Sequence, residues 1–240
     1  MSDVLLVSLV VLIVFISTLI RSTLGFGNAL IAMPLLVLLI GVKEAAPLVA
    51  LAGLLIALIM LIREWRDLAW KDTLVLLISS VLGLPLGLFL LEALPENIVQ
   101  IILGLILISF GIYNLAGIKL PVLENRYLAV PFGFLAGILG GAYNANGPPI
   151  VIYGVMRGWD KAAFRASLQG FFFVSSVMIV AGHGLSGFWT DQVLRAFSIS
   201  IPVIVAAVLL GEWIAKKITQ GNFNRVIYSF LILMGIMMFI

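Results

Sequence analysis

The chain has 240 residues, of which 63% are apolar and only 10% charged, with a mean hydropathy of +1.24 and a formal net charge of +3. A soluble domain is about a quarter charged and about half apolar, so this composition excludes a water-soluble globular protein and points to a bilayer. The absence of cysteine excludes disulfides, thiolate metal sites and thiol redox chemistry.

Apolar runs occupy about 4–20, 29–40, 45–62, 73–91, 98–115, 127–139, 148–156, 166–181, 193–214 and 223–240. Most approach the roughly 20 residues that a membrane-crossing helix needs. The runs 29–40 and 148–156 are too short to cross alone, and 127–139 is barely longer. The first run has no basic stretch before it, begins with Asp3 and shows no small-residue cleavage pattern, which predicts a retained helix rather than a signal peptide. Short loops leave no room for a soluble domain between runs. The expectation is one all-α, polytopic membrane domain over 1–240 with about ten membrane segments.

Loop charges orient the chain. If successive runs alternate across the membrane, one side collects Arg21, Arg63, Arg66, Lys71, Lys119, Arg126, Arg157, Lys161, Arg165, Lys216, Lys217 and Arg225, and the other only Lys43 and Arg195. By the positive-inside rule the rich side is cytoplasmic, so both termini are expected in the periplasm of a multi-pass inner-membrane protein. The basic residues are scattered without a patch or interleaved aromatics, which argues against a nucleic-acid partner.

The sequence also matches itself. GVKEAAPLVALAG (41–53) laid on GWDKAAFRASLQG (158–170) pairs Gly41 with Gly158, Ala45 and Ala46 with Ala162 and Ala163, Leu51 with Leu168, and Gly53 with Gly170. Slightly upstream, GFGNALIAMPL (25–35) lies on GGAYNANGPPI (140–150), with Gly25 over Gly140 and Pro34 over Pro149. The halves, about 1–117 and 118–240, hold five runs each, so the second must be inverted relative to the first. Inverted repeats whose matching segments are short and broken by Gly and Pro point to a transporter's substrate site.

Irregular backbone at membrane depth is tolerated only where it is buried in protein or lines a wet cavity. Gly140, Gly141 and Gly147 permit unusual backbone angles, and Pro148 and Pro149 suit the first turn of a helix. A half-helix is therefore expected to start near Pro148, and its counterpart near Pro34. Two positive helix ends facing one midplane cavity would attract an anion.

The two stretches LGFGNALIAMPLL and ILGGAYNANGPPIVIYG, each followed by a short loop and an Ala/Ser-rich helix start, resemble the TauE/SafE sulfite exporter family, also called the TSUP family. The likeness covers nearly the whole chain in length and repeat plan. It implies a transporter, not an enzyme, that exports small sulfur-containing anions such as sulfite or organosulfonates. Asn28 follows Gly27 where a further small residue is common in the family, and of the Thr-Ser usual in both repeats only Ser167 is present.

The candidate substrate-binding residues are Arg21, Gly25, Asn28, Tyr143, Asn144, Asn146, Arg165, Ser167 and Gln169. Several have a plainer reading. Asn144 and Asn146 form turns as readily as they donate to an anion's oxygens, Tyr143 suits packing or an interfacial ring, and Asn28 suits a helix cap. Arg165, Ser167 and Gln169 stand where the aligned repeat has Leu48, Ala50 and Ala52, so polarity enters one half only. Arg165 and Gln169 share a helix face at i and i+4. Gln169 is the deeper of the two, and Arg165 near a loop reads equally as a topology charge. Arg21 lies in a cytoplasmic turn if both of the first two runs cross, and deeper if the second is re-entrant. His183 is the single histidine, with no second metal ligand near it, and no cofactor is expected. The G-L-S-G at 184–187 resembles a rhomboid protease nucleophile turn, but His183 three residues before Ser186 is poorly placed as its base. A permease or channel for another small solute is the remaining alternative. The partners expected are a small anion and lipid, with a homodimer left open.

Because the chain has no cysteine, single cysteines report topology without background. Cysteine at position 66 or 217 should be protected from an impermeant thiol reagent added from the periplasmic side; labelling there would reverse the orientation.

Overall fold

The computed structural model describes residues 3–93, 96–117, 122–143, 146–185, 187–237 and 239. They form ten α-helices that fall on the ten apolar runs: α1 (Asp3–Leu24), α2 (Asn28–Ile40), α3 (Val42–Glu64), α4 (Trp70–Ala93), α5 (Glu96–Leu115), α6 (Ala129–Tyr143), α7 (Gly147–Met156), α8 (Lys161–Leu185), α9 (Asp191–Lys217) and α10 (Gln220–Met237). No strand occurs among the described residues. A helix satisfies its own backbone, which an apolar segment must do in lipid. Five helices, α1, α3, α4, α8 and α9, contain spans long and apolar enough to cross a membrane.

Helix ends depart from the runs in two informative places. Helix α1 continues past the apolar run to Leu24 and carries Arg21 in its last turn. Gly25 and Gly27 then take φ of 93° and 101°, a left-handed region open to glycine at little cost. The break they make starts α2 at Asn28, not near Pro34, which falls inside the helix. The matching expectation for α7 holds differently: α7 begins at Gly147, with Pro148 and Pro149 in its first turn.

The helices gather into two compact units, Met1–Leu68 with Arg165–Lys217, and Ala69–Phe164 with Ile218–Ile240. Each unit draws on both halves of the sequence.

In the first unit α1 lies along α9 and against α2, and α3 packs on α2 and α9. Gly211 of α9 lets Ser22 of α1 come close, so that its hydroxyl reaches Ala207 O at 3.1 Å. An apolar cluster that includes Val10, Val14, Leu36, Leu48, Ala52 and Ile56 fills the space between α1, α2 and α3.

In the second unit α4 lies along α6, α6 packs on α7, and α5 pairs with α10. Lipid offers no hydrophobic drive for helices to associate, so close packing through small residues has to hold them. Gly83 and Gly87 of α4 bring that helix onto the backbone of Phe134 and Ile138, while Gly133 and Gly137 of α6 do the same against Leu76 and Ser80. The end of α7 is fixed by Tyr153, whose ring meets Phe132 at 5.6 Å and Trp159 at 5.5 Å. Just beyond it, Arg157 donates to Asp72 Oδ2 at 3.0 Å and to Leu123 O at 2.7 Å. The hydrogen bond to Asp72 raises the Arg157 guanidinium above the usual arginine value.

A Cβ at Gly137 would overlap the Ser80 carbonyl, whereas one at Gly182 of α8 meets open space. Overpacking of this kind costs about 1–3 kcal/mol. Gly137→Ala should therefore lower the Tm of the detergent-solubilised protein by several degrees while Gly182→Ala leaves it unchanged; equal Tm values would show that α4 and α6 are not in backbone contact.

Candidate functional site

The last turn of a helix leaves carbonyls without intrahelical partners, and at the end of α1 most of these have a visible acceptor role. Gly25 N–H donates to Arg21 O at 2.6 Å. Arg165 Nη1 donates to Ser22 O at 2.5 Å and to Thr23 O at 2.7 Å. Gln169 Nε2 donates to Gly25 O at 2.7 Å. Residues i and i+4 on α8 thus grip successive parts of the α1–α2 turn, which is what their shared face allows.

Arg21 sits in the middle of this arrangement and is 6% exposed. Its Nη2 donates to Gln169 Oε1 at 3.0 Å, and its Cζ lies 4.8 Å from the centre of the Phe172 ring. Gly53 of α3 makes room: a Cβ there would stand 3.3 Å from Arg21 Nη1. The Nε of Arg21 is buried without a partner. The ion pairs among the described residues are Arg63–Glu212, Arg157–Asp72 and Arg165–Glu64, and Arg21 belongs to none of them. Its neighbour Arg165 is neutralised, with Nε and Nη2 donating to Glu64 Oε1 at 3.0 and 2.6 Å.

Helix α2 opens on the same turn. Its N-cap is Gly27, which offers no side-chain cap, and its first residue Asn28 is buried. Asn28 is therefore not the cap that its residue type suggests. The leading N–H groups of α2 precede the first intrahelical acceptor and receive no side-chain cap from Gly27, at an end flanked by the buried Phe26 and Leu30. Helix α7 differs. Asn146 is its N-cap, also without a side-chain cap bond, but Pro148 and Pro149 carry no N–H, so that end presents fewer donors.

Of the residues singled out in the sequence, the structure brings Arg21, Gly25, Arg165 and Gln169 into direct contact, with Asn28 directly after the turn and Ser167 buried on α8. Arg21 and Arg165 are buried within α1 and α8, so these two of the twelve basic residues assigned to loops are not exposed loop charges. Asn146 belongs to the second unit; Asn144 and the side chain of Tyr143 lie outside the described residues. His183, in the last turn of α8, has its ring 5.9 Å from that of Phe188, and Ser186 lies outside the described residues. Sequence reasoning missed Gly53, Phe172 and Glu64. Gly53 was visible as the repeat partner of Gly170, and Phe172 as the next residue on the Gln169 face; Glu64, at a run's end, gave no signal.

The first unit also holds a cavity of about 540 Å³ whose lining includes Leu6, Val10, Glu44, Leu48 and Arg195. Along α1, Val10 and Arg21 are about 16 Å apart at 1.5 Å per residue, and Val14 of the apolar cluster lies between them on that helix. Among the described residues no group of three His, Asp or Glu side chains could hold a metal.

Membrane-length helices around a buried, glycine-broken turn and a cation without counter-ion are the parts of a membrane transporter. The sequence model of the family described as "Sulfite exporter TauE/SafE" matches residues 10–238, and the chain belongs to that family of transporters. A protein of Cupriavidus necator named "Probable sulfite/organosulfonate exporter TauE" is 25% identical over 219 residues, which cover 88% of this chain and 85% of that one. No solved structure matches the chain.

Removing Arg165 alone strands Glu64, whose side chain is 20% exposed; breaking a fully buried pair costs about 3–5 kcal/mol, an upper bound here, whereas replacing both members by apolar groups is often neutral. Arg165→Met should lower the Tm markedly, and adding Glu64→Met should recover most of the loss. A double variant no better than the single one would show that Arg165 stabilises through the Ser22 and Thr23 carbonyls alone.

Proposed function

We propose that the protein exports small sulfur-containing anions such as sulfite or organosulfonates across the inner membrane by alternating access, and that Arg21 holds the anion. The observation that carries this reading is a buried arginine in a membrane-length helix with no carboxylate beside it. A charge at the centre of a membrane helix costs about 2.5–3.5 kcal/mol on insertion scales, an upper bound for Arg21 in the last turn of α1. Gln169 and the Phe172 face offset part of that cost without cancelling the charge, which leaves it for a negative ligand. The uncapped N-terminus of α2 adds roughly half a positive charge from its dipole, and its free N–H groups suit an oxyanion that presents several oxygens at once. Gly25, Asn28, Ser167 and Gln169 complete the candidate set on this side. Tyr143, Asn144 and Asn146 remain candidates at the second broken segment.

Three further observations support the mechanism. In one unit α1 partners α2 and α9, and in the other α6 partners α7 and α4; these are equivalent sets if runs one to five are repeated, inverted, as runs six to ten. Pro85 inside α4 and Pro202 inside α9 are as far apart in sequence as Gly41 and Gly158. Val14, a member of the apolar cluster, stands along α1 between Arg21 and the cavity-lining Val10, the kind of packing that alternating access requires of a site closed on one side. With Arg21 and Arg165 removed from the loop tally, ten basic residues still face two, which favours periplasmic termini. The Arg21 cluster lies within one chain, so a homodimer would carry one in each protomer.

Thermal-shift titration tests the reading. A ligand at a hundred times its Kd adds about 2.7 kcal/mol, so methanesulfonate and sulfite should raise the Tm of the wild type while amines and sugars do not. Arg21→Gln should keep or raise the ligand-free Tm, since a buried charge is gone, yet lose the shift. Gln169→Ala should weaken binding roughly ten- to a hundredfold. Stabilisation by organic cations alone, or an undiminished sulfonate shift in Arg21→Gln, would overturn the assignment.

A further inference from the structure

Arg165 and Glu64 meet in an unbalanced way. A guanidinium facing a carboxylate commonly gives one N–H to each oxygen, but here both Nε and Nη2 donate to Oε1. Glu64 Oε2 is buried and has no hydrogen-bond partner among the described residues. A second carboxylate nearby is in the same condition: Glu212 of α9, with its side chain 7% exposed, takes Arg63 Nε on Oε2 at 2.7 Å, and its Oε1 is buried without a partner. The charged groups that face Glu64 are Arg165 from α8, Glu212 from α9 and Asp67 from the turn that follows α3. Arg63 precedes it in the chain, α2 contributes no titratable residue, and α1 contributes Arg21 and the carbonyls that Arg165 holds. A buried carboxylate oxygen with no donor can acquire one by taking up a proton.

We propose that Glu64 is a proton-binding site linked to the anion site, with Arg165 as the connection. A proton from water forms an O–H bond at Glu64 Oε2 and neutralises the carboxylate; no other covalent bond changes. Arg165 keeps the Ser22 and Thr23 carbonyls but loses its counter-charge, and those carbonyls directly follow Arg21. The end of α1 therefore gains one net positive charge beside the arginine that takes the anion. Proton and anion then favour each other's binding, and the effect must be reciprocal. Glu212 is the weaker choice for this role, because its partner Arg63 is 48% exposed, so water compensates for a change in its charge, and Arg63, unlike Arg165, makes no hydrogen bond to the Ser22 and Thr23 carbonyls among the described residues. The linkage rests on the reading of Arg21 as the anion's partner.

Calorimetric titration of the purified protein with methanesulfonate, in buffers of different ionisation enthalpy, gives both affinity and protons taken up. A sulfonate keeps its single charge over the range used, unlike sulfite, so any proton belongs to the protein. Wild type should take up a fraction of a proton per anion bound and bind more tightly on acidification, by up to about tenfold per pH unit for one linked proton. Glu64→Gln should bind with one affinity at every pH and take up none, while Glu212→Gln still takes up protons. Sulfonate binding by the wild type without proton uptake would overturn the linkage and leave the anion site standing, and so would uptake that survives in Glu64→Gln. No sulfonate binding at any pH would overturn the anion site and the linkage together. The wild-type measurement needs no substitution, so it decides the matter even if Glu64→Gln does not fold.

Discussion

A guanidinium held inside a membrane-length helix without a carboxylate constrains everything around it. Arg21 is buried, and a counter-ion would abolish the attraction for the anion proposed above, so on that reading what surrounds Arg21 has to stabilise a cation while leaving its charge intact. An amide oxygen and an aromatic face do this: Gln169 Oε1 accepts one N–H, and the Phe172 ring lies under the cation. A cation over a desolvated ring is worth about 2 kcal/mol, the same order as the insertion cost of the charge. The first unit has two other arginines bonded to carboxylates, Arg63 with Glu212 and Arg165 with Glu64. On the proposed reading, the contrast separates charges that hold the fold from the one left for the anion.

The glycine break between α1 and α2 serves the same end in two ways. Positive φ at Gly25 and Gly27 turns the chain within three residues, which exposes carbonyls at one end and N–H groups at the other. The carbonyl end is satisfied by α8, through Arg165 and Gln169. The N–H end has no side-chain cap. A Cβ at Gly25 would sit in ordinary contact with Leu168 Cδ1 at 3.4 Å and Arg165 Cγ at 3.5 Å, so the turn packs on α8, and it is the φ of 93° that disfavours any other residue there. Geometry and electrostatics at this point cannot be altered separately.

The ten helices were legible because lipid admits few alternatives: a long apolar run must be helical, whatever it packs against. The pairing of Arg165 with Gln169 was legible for a local reason too, their spacing along one helix. The position of Arg21 was not. Its depth depends on α1 continuing beyond the apolar run, and that last turn is held by α8 residues distant in sequence. Pro34 misdirected the reading of α2, since proline marks a first turn only when nothing upstream starts the helix, and the two left-handed glycines do so. Glu64 could not be found at all, because its meaning lies in Arg165 across another helix. Asn146, read either as a turn former or as a donor to an anion, stands as the N-cap of α7.

The aligned halves differ in the place where function would make them differ. Gly53 and Gly170 match, yet Arg165, Ser167 and Gln169 stand opposite Leu48, Ala50 and Ala52, and Leu48 and Ala52 are part of the apolar cluster. Inversion, if the halves are repeats as proposed, demands that backbones be equivalent so that two access states have similar energy. It makes no such demand on side chains. A second arginine cluster at the equivalent positions would double the cost of buried charge and give the anion a competing place to rest. On the proposed reading, polar residues at 165, 167 and 169 that have no counterpart at 48, 50 and 52 leave a single preferred position for the ligand, where the second half meets Arg21 of the first.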